Sequence, residues 1–85
     1  MATVEYKRQP EKYLNSVDLN TYAKLKGACE GLAEGKGDIV RLKGTPYYRL
    51  KLEHYRAIFN YDKGKQIVTV EELNTRTNIK YRRWR

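Results

Sequence analysis

Two basic residues in an alternating stretch are the part of this sequence best suited to hold a phosphate. Arg49 and Lys51 alternate with apolar residues over 48–52. In a β-strand, such alternation sends the basic and the apolar side chains to opposite faces. Arg56 lies in the otherwise apolar run 55–59, where a guanidinium is costly unless it faces a polar groove or a partner. If Arg56 shares the face of Arg49 and Lys51, three cations converge there.

Such a cluster has the chemistry of an anion-binding surface. Arg offers a planar fork of donors and Lys a point charge, and both stabilise negative charge on a phosphate. The only acidic residue expected near the three cations is Glu53. Ordinary solvated side chains on a half-buried strand give the same alternation, so the pattern alone leaves both interpretations open.

The stretch 76–85 carries a second group of basic residues. It holds five basic residues, two aromatic residues and no acidic residue, in the order Arg-Thr-Asn-Ile-Lys-Tyr-Arg-Arg-Trp-Arg. Single-stranded RNA needs this mixture, because cations hold its phosphates while aromatic rings stack on its unpaired bases. A disordered basic tail is the alternative interpretation.

The composition as a whole favours an anionic partner. The chain has 85 residues, with 18 Lys and Arg against 10 Asp and Glu, which gives a formal net charge of +8. This excess points to a polyanion, either a nucleic acid or an acidic protein. The length predicts a single domain spanning 1–85, whose thin core leaves no room for an enclosed cofactor cavity.

The expected compartment is the cytoplasm. Cys29 is the only cysteine, so no disulfide can form within the chain, and a reducing environment fits. No apolar stretch approaches the roughly 18 residues needed to cross a bilayer. Residues 1–9 lack the apolar core of a signal peptide. We therefore expect no association with a membrane.

Two helices are predicted after a short first strand. Alternation over 3–7 predicts the strand, and Pro10 suits the first turn of a short helix that ends at Leu14. Helical spacing of apolar residues predicts a second helix over 19–34, with Ser16 or Asp18 as its N-cap. The short link between the helices favours an antiparallel hairpin.

From residue 39 onward the apolar pattern changes to a period of two. The predicted strands are 39–43, 48–52, 55–61 and 66–73, separated by turns at 44–46, 53–54 and 62–65. The order predicts an α+β fold with an N-terminal strand, a two-helix hairpin and then an antiparallel β-meander. The helices pack on one face of such a sheet and leave the other face free.

Four short motifs follow one another in the second half of the chain. They are Leu42-Lys43-Gly44, Tyr48-Arg49-Leu50-Lys51-Leu52, Tyr55-Arg56-Ala57-Ile58-Phe59, and Arg76 with a tyrosine nearby. The ordered set resembles RelE-type toxins of bacterial type II toxin–antitoxin systems, within the RelE/ParE superfamily. The motifs cover 42–81, and the order of predicted elements extends the resemblance to nearly the whole chain.

This resemblance implies a function and a set of partners. It implies cleavage of mRNA in the ribosomal A site, near 16S rRNA, with no metal or other cofactor. It also implies neutralisation by a cognate antitoxin, whose acidic or amphipathic segment wraps the toxin in a hetero-oligomer. By the motifs, the catalytic residues are Arg49, Lys51, Arg56, Arg76 and Tyr81. Further basic residues expected to contact RNA are Arg41, Lys43, Lys80, Arg82 and Arg83.

The sequence departs from the family pattern at two places. Many relatives have Arg-x-x-x-Tyr followed by a basic residue, whereas here Lys80 precedes Tyr81. Either the chain bulges to restore Tyr81 or Lys80 takes part instead. Glu53 stands where relatives often carry Gly, and it should alter the geometry of the hairpin turn without altering the chemistry.

Metal-free RNA cleavage by the 2′-oxygen needs a group that takes the 2′-hydroxyl proton, and groups that stabilise charge on the phosphate. We hypothesise that Tyr81 or Lys51 takes the proton, Arg56 and Arg76 stabilise the phosphate, and Arg49 orients the RNA backbone. Tyr81 can serve only if nearby cations stabilise its phenolate. So weak an acid–base set implies that the ribosome helps by holding the mRNA in a reactive geometry.

Other chemistries lack the residues they need. One His (His54, in a predicted turn), one Cys and scattered carboxylates do not make a metal site. Glu71 and Glu72 are adjacent in a predicted strand and so are expected on opposite faces, which argues against a paired-carboxylate site. Gly35 and Gly37 end a helix, whereas a phosphate-cradling motif opens one.

Two alternative functions share the predicted fold. ParE-type toxins bind and poison DNA gyrase with no nuclease chemistry. A non-catalytic RNA-binding module would use the same basic face without cutting. The combination of Arg49, Lys51, Arg76 and Tyr81 favours the nuclease over the ParE-type activity.

Overall fold

The structure, a computed structural model, describes residues 2–85. Two helices follow the first strand and precede the other four. The elements are β1 (Thr3–Tyr6), α1 (Arg8–Ser16), α2 (Leu19–Glu30), β2 (Asp38–Arg41), β3 (Tyr47–Leu52), β4 (Tyr55–Asp62) and β5 (Ile67–Thr75), with single 3-10 turns at Gly31–Glu34 and Tyr81–Trp84. This order confirms the predicted α+β architecture.

The five strands form one mixed sheet in the order β1-β5-β4-β3-β2. Strands β2 to β5 pair antiparallel, as a meander does. Strand β1 lies at one edge and pairs parallel to β5. The side-chain amide of Gln9 in α1 forms two 2.8 Å hydrogen bonds with the backbone of Leu73 in β5. These bonds fix the first turn of α1 to β5, which is distant in sequence.

The helix boundaries follow capping and backbone chemistry. Asp18 is the N-cap of α2, where its carboxylate accepts the backbone N–H of Thr21 at 2.8 Å. Pro10 lies in the first turn of α1, where a missing N–H costs no helical hydrogen bond. Helix α2 ends at Glu30, earlier than predicted, because the chain tightens into the 3-10 turn that Gly35 terminates at φ 71°.

The apolar core lies between the two helices and one face of the sheet. Its buried members are Leu14, Leu25, Cys29, Leu32, Leu50, Ala57, Phe59, Val68, Val70 and Leu73. A fully buried Leu, Val or Phe side chain contributes about 1.5–3 kcal/mol through removal of apolar surface from water. Gly37, before β2, has φ 119°, and a Cβ there would lie 2.6 Å from Leu50 Cδ1, so only glycine fits.

A β-bulge in β5 changes which side chains share a face. Ile58 pairs with Glu72 and Phe59 with Val70, so Glu71 is an extra residue in β5. The carboxylate of Glu71 accepts a hydrogen bond from Asn60, two residues after Ile58 on the face opposite the helices. Glu72 lies on that same face opposite Ile58. The prediction that the two carboxylates point to opposite faces is therefore wrong, because the bulge breaks the alternation.

Residues 76–85, hereafter the C-terminal segment, fold back across the face opposite the helices. The backbone N–H of Arg76 donates to the carbonyl of His54 at 2.7 Å. Ile79 is buried, and Ile58 is fully buried on the same face although no helix covers it. The segment is therefore packed against the sheet, and the alternative of a disordered tail does not describe it.

Candidate nucleic-acid interface

The open face is the side of the sheet opposite α1 and α2. Lys51 of β3 pairs directly with Arg56 of β4, and Arg49 pairs with Ile58. Paired residues of an antiparallel ladder point to the same face, with Cα atoms about 4.5–5.5 Å apart. The apolar residue Leu50, between the two basic residues of β3, is buried against the helices. The prediction that Arg49, Lys51 and Arg56 share one face is confirmed.

Arg76 reaches the same end of the open face. Its backbone N–H bonds the carbonyl of His54, which continues the β4–β5 ladder by one residue past Thr75. Arg76 is the first residue after β5, two residues past Asn74, which pairs with Arg56, so its backbone lies at the end of the face where Arg56 lies. Arg76 itself is exposed. The strand register thus brings Arg49, Lys51 and Arg56 to one half of the open face, and the backbone of Arg76 follows at its edge.

The cations of the open face have no carboxylate partners within the part of the chain that the structure describes. Ion pairs within 4.0 Å there are Lys24–Glu53, Lys26–Glu30 and Lys36–Glu34. Each of these pairs uses a lysine of α2 or of the loop that follows it. Charges free of internal partners remain available to bind an external anion.

Glu53 does not lie where the sequence placed it. Its carboxylate pairs with Lys24 of α2 at 3.1 Å, so it is drawn to the helical side of the sheet. The expectation that Glu53 is the acidic neighbour of the three cations is wrong. Asp38 of β2 takes that position instead, because it pairs with Lys51 across the β2–β3 ladder, although the two side chains form no ion pair within 4.0 Å.

Arg49 and Arg56 are held differently. The Nε atom of Arg49 is buried and has no hydrogen-bond partner. An unpaired buried donor of this kind carries a desolvation cost. The Nη1 atom of Arg56 donates to the carbonyls of Glu53 and Tyr55, both at 2.8 Å. Arg56 is therefore fixed in position, and its remaining donors are free for a ligand.

The turn beneath Arg56 explains the departure at Glu53. Glu53 has φ 54°, in the left-handed region that glycine adopts without a steric penalty. The adjacent His54 places its ring 4.1 Å from that of Tyr55, centroid to centroid, and Tyr55 packs against the helical core. The imidazole therefore faces Tyr55 rather than the cations of the open face.

Tyr81, the fifth predicted catalytic residue, lies at the other end of the open face. It is 38% exposed and lines a groove of about 250 Å³ between the C-terminal segment and the loop that joins β2 to β3. None of the other four predicted catalytic residues lines this groove. Strand β3 rises about 3.3 Å per residue, so roughly 13 Å of strand separates Lys51 from Tyr47 at the groove end.

The five residues predicted to contact RNA are divided by the structure. Lys43 and Arg82 line the groove beside Tyr81. Lys80 and Arg83 are exposed on the C-terminal segment. Arg41 lies apart, on the helix-covered side, where its guanidinium is 5.9 Å from the ring centre of Tyr48. Its Nε also donates to the carbonyl of Thr45 at 3.2 Å.

Glu72 and Trp84 hold the C-terminal segment in place, a role that was predicted for neither residue. Glu72 is 3% exposed. Its carboxylate accepts the indole N–H of Trp84 at 2.8 Å and the backbone N–H of Lys80 at 3.1 Å. The Trp84 ring packs edge-on against Tyr47, with centroids 5.0 Å apart. One signal could have found Glu72, since a carboxylate in a β-branched strand needs donors close by.

The polar groups on the helical side are occupied with one another. The hydroxyl of Tyr6 donates to the carboxylate of Glu30, and the ammonium of Lys26 lies 4.2 Å from the centre of the Tyr6 ring. Burial, followed by the hydrogen bond to Glu30, raises the pKa of Tyr6. Burial also raises the pKa of the Cys29 thiol to about 12, so this thiol is neutral and inert at neutral pH.

Residues 2–85 contain neither a cluster of metal-ligating side chains nor a membrane-spanning helix. No group of three or more His, Cys, Asp and Glu side chains in this range is arranged to hold a metal ion. No helix within it is both long enough and apolar enough to cross a bilayer.

Comparison with known proteins identifies the fold. The sequence matches no family model and no curated protein. The structure is similar to the intact E. coli RelBE toxin–antitoxin complex, with a TM-score of 0.72 and 17% identity over 88% of this chain and 96% of that one. It is similar to the archaeal RelE–RelB complex from Pyrococcus horikoshii, with a TM-score of 0.71 and 23% identity over 92% and 98% of the two chains.

The isolated E. coli RelE toxin is similar as well, with a TM-score of 0.66 and 17% identity over 88% of this chain and 84% of that one. The chain therefore has the fold of RelE toxins. This result confirms, at the level of the fold, the resemblance carried by residues 42–81.

Proposed function

We propose, starting from this RelE-type fold, that the protein is the toxin of a type II toxin–antitoxin system and cleaves mRNA in the ribosomal A site. The observation that carries the proposal is the set of cations on the open face. Arg49, Lys51 and Arg56 share one half of that face, the backbone of Arg76 follows at its edge, and none of the four pairs with a carboxylate within 4.0 Å among the described residues. A phosphodiester is the ligand that such a set suits.

Each cation has a role in the proposed reaction. Arg56 and Arg76 stabilise the charge that grows on the phosphate as the 2′-oxygen attacks and the 5′-oxygen leaves. Arg49 orients the RNA backbone through its guanidinium, which the pairing of Arg49 with Ile58 places on the open face. The 2′-hydroxyl proton is taken by Lys51 as the neutral amine or by Tyr81 as the phenolate, and water protonates the departing 5′-oxygen. Lys51 is favoured, because it pairs directly with Arg56 whereas Tyr81 lies in the groove at the other end.

The proposed reaction depends on the ribosome rather than on a bound metal. The open face lacks the pair of imidazoles that an efficient self-sufficient ribonuclease would use, because the one histidine packs against Tyr55. A ribosome that splays the mRNA near 16S rRNA would supply the reactive geometry, and orientation alone can lower a barrier by several kcal/mol. We therefore propose that naked RNA is a poor substrate.

A cognate antitoxin is the proposed protein partner. Similar structures were solved as RelE–RelB complexes, and the net charge of +8 suits an acidic or amphipathic segment wrapped around this chain. We propose that residues 1–85 act as a single cytoplasmic toxin domain, held in a hetero-oligomer with the antitoxin until it is released.

The test is to incubate the purified protein with an mRNA positioned on ribosomes, and separately with the same mRNA free in the same buffer. The RNA 3′ ends are then mapped. New 3′ ends in the A-site codon of the bound message, at least 100-fold fewer in the free message, are expected. Phenanthroline, which removes transition metals but leaves the Mg²⁺ that ribosomes need, should not slow the cleavage.

Three other outcomes would contradict the proposal. Equal cleavage of free and bound mRNA would remove the role of the ribosome. Intact message with trapped gyrase–DNA complexes would select the ParE-type activity. Intact message that nevertheless binds the protein tightly would select a non-catalytic RNA-binding module.

A further inference from the structure

The hairpin turn between β3 and β4 contacts both arginines that are proposed to stabilise the phosphate. Its two residues, Glu53 and His54, lie between the last residue of β3 and the first residue of β4. The carbonyl of Glu53 accepts a hydrogen bond from Nη1 of Arg56 at 2.8 Å. The carbonyl of His54 accepts one from the backbone N–H of Arg76 at 2.7 Å. Two successive carbonyls of one turn therefore fix the guanidinium of Arg56 and the point at which the chain leaves β5.

The turn has a backbone conformation that its own sequence does not favour. Glu53 has φ 54°, and Gln66 is the only other non-glycine residue with a positive φ in the part of the chain that the structure describes. Glycine is the usual residue where a two-residue hairpin needs a positive φ, because a Cβ is unfavourable there. Such strain persists where surrounding contacts impose it, and it is concentrated at functional sites. The turn therefore needs a contact that holds it.

Lys24 of α2 supplies such a contact. Its ammonium lies 3.1 Å from each carboxylate oxygen of Glu53, which is 29 positions further along the chain. The other ion pairs among residues 2–85 are local, because they join residues at most four positions apart. The next residue of α2, Leu25, is buried in the core, so the helix that carries Lys24 is a fixed support. The ion pair therefore joins the helical layer to the turn that contacts the arginines.

We infer that Lys24 and Glu53 are positioning residues for the proposed cleavage. Their ion pair holds the β3–β4 turn in its left-handed conformation, and the carbonyls of that turn hold Arg56 and the start of the C-terminal segment. The inference rests on the proposed function in one respect, namely that Arg56 and Arg76 act on a phosphate. It gives Glu53 an effect on catalysis, whereas the sequence pattern predicted an effect on the turn alone.

Loss of the ion pair should affect the rate of cleavage rather than the binding of RNA. An exposed ion pair favours one conformation over another by a factor of at most about five. Lys24→Ala and Glu53→Gln should each lower the single-turnover rate on ribosome-bound mRNA by about 2- to 5-fold. The affinity for a labelled single-stranded RNA should change by less than about twofold, because all the phosphate-binding charges remain. Lys36→Ala is the matched control, since its ion pair with Glu34 is local.

The signs of the two substitutions separate the ion pair from a general effect of charge. Lys24→Ala removes a positive charge and Glu53→Gln removes a negative one. A general electrostatic effect would therefore change the cleavage rate in opposite directions, whereas loss of the ion pair lowers the rate in both variants. The double variant should be no slower than the slower single variant, because the pair can be lost only once. Opposite changes, or losses that multiply in the double variant, would overturn the inference.

The order of the Arg56 side chain provides a measurement that does not depend on cleavage. In the full-length protein labelled with ¹⁵N, relaxation of the Arg56 Nε–H group reports how firmly the guanidinium is held. Its order parameter should fall in Lys24→Ala and Glu53→Gln, towards the values below about 0.6 of flexible groups, and should not fall in Lys36→Ala. About 1 M KCl, with a Debye length of about 3 Å, should lower the wild-type value as well. Unchanged order in the two variants would contradict the positioning role.

Reversal of the ion pair tests whether the contact itself matters. Lys24→Glu and Glu53→Lys each place two like charges side by side, and each should slow cleavage more than the neutral variants do. The two reversals together restore an ion pair and should recover most of the wild-type rate, whereas an absence of recovery would refute the inference. Urea unfolding of each variant provides the control, since exposed ion pairs contribute little to stability. Slowing that only matches a loss of folded protein would assign the pair a structural role.

The two proposals can fail separately. If Arg56 loses order in Lys24→Ala and Glu53→Gln but the wild type leaves ribosome-bound mRNA intact, the contact between the turn and Arg56 stands and the nuclease fails. If the wild type cuts ribosome-bound mRNA and both variants cut it at the same rate, the nuclease stands and the positioning role fails.

Discussion

The two sides of the sheet use charged residues in opposite ways. On the helical side, Lys24 pairs with Glu53 and Lys26 with Glu30. On the open face, Arg49, Lys51, Arg56 and Arg76 have no carboxylate within 4.0 Å among residues 2–85, although Asp38 stands opposite Lys51 in the ladder. Exposed ion pairs add at most about 1 kcal/mol each to stability. The charged residues on the helical side therefore form surface ion pairs, whereas those on the open face remain available to bind a ligand.

The apolar residues divide in a similar way. The helical side holds the main core, in which α2 presents Leu25 and Cys29 to the strands. On the open face, a smaller buried area is formed where Ile79 of the C-terminal segment and Ile58 of the sheet are both buried. A change on the helical side should therefore alter stability before activity, and a change on the open face should do the reverse.

The largest expected effect comes from removing one charge on each side. Arg76→Ala should lower the rate of ribosome-dependent cleavage by about 10²- to 10³-fold, as loss of one group that stabilises transition-state charge does. Lys36→Ala, on the helical side, should change the rate less than twofold, because Lys36 only meets Glu34 at the surface. Single-turnover cleavage of ribosome-bound mRNA measures both variants. Comparable losses of cleavage rate in the two variants would mean that the side of the sheet on which a charge lies does not affect catalysis.

Backbone changes on the helical side should give the next largest effect. Gly37→Ala forces a Cβ to within 2.6 Å of Leu50 Cδ1 at a φ of 119°, and such strain costs about 1–3 kcal/mol of unfolding free energy. Gly27→Ala is the matched control, because no atom lies within 4 Å of its new Cβ. In the middle of α2 it should stabilise by up to about 1 kcal/mol. Urea unfolding measures both changes, and a neutral Gly37→Ala would contradict this account of the core.

The smallest expected effect is on the salt dependence of RNA binding. Each cation that contacts a phosphate of single-stranded RNA steepens the plot of log affinity against log salt by about 0.7. Lys51→Ala should reduce that slope by about this amount, and Lys24→Ala should leave it unchanged. Titration of labelled RNA at several KCl concentrations gives both slopes. Equal reductions would place RNA on both sides of the sheet.

The faces of the strands could be predicted because alternation is a local property. Arg49, Lys51 and Arg56 needed only a period of two and a hairpin turn to be assigned to one face. The N-cap of α2 was likewise narrowed to Ser16 or Asp18, and the structure shows Asp18, whose side chain accepts a backbone N–H three residues away. Features that depend on residues close together in the sequence could therefore be predicted.

The rest depended on contacts between distant residues. The bulge at Glu71 reversed the expected face of a carboxylate, and no composition rule marks a bulge in a β-branched strand. Glu53 turned to Lys24 of α2, a partner 29 residues away. The position of Tyr81 depends on how the C-terminal segment packs, because the carboxylate of Glu72 accepts a hydrogen bond from the backbone N–H of Lys80. Each of these results needs the assembled sheet, which is why sequence patterns could not supply it.

The parallel pairing of β1 with β5 has a consequence for biosynthesis. Strand β1 has no neighbour in the sheet except β5, and Gln9 bonds Leu73, 64 residues further along the chain. During translation, β1 remains unpaired until residues 67–75 have left the exit tunnel. Such a long loop closes slowly, so we expect the sheet of the nascent polypeptide to be completed only after residues 67–75 have been made.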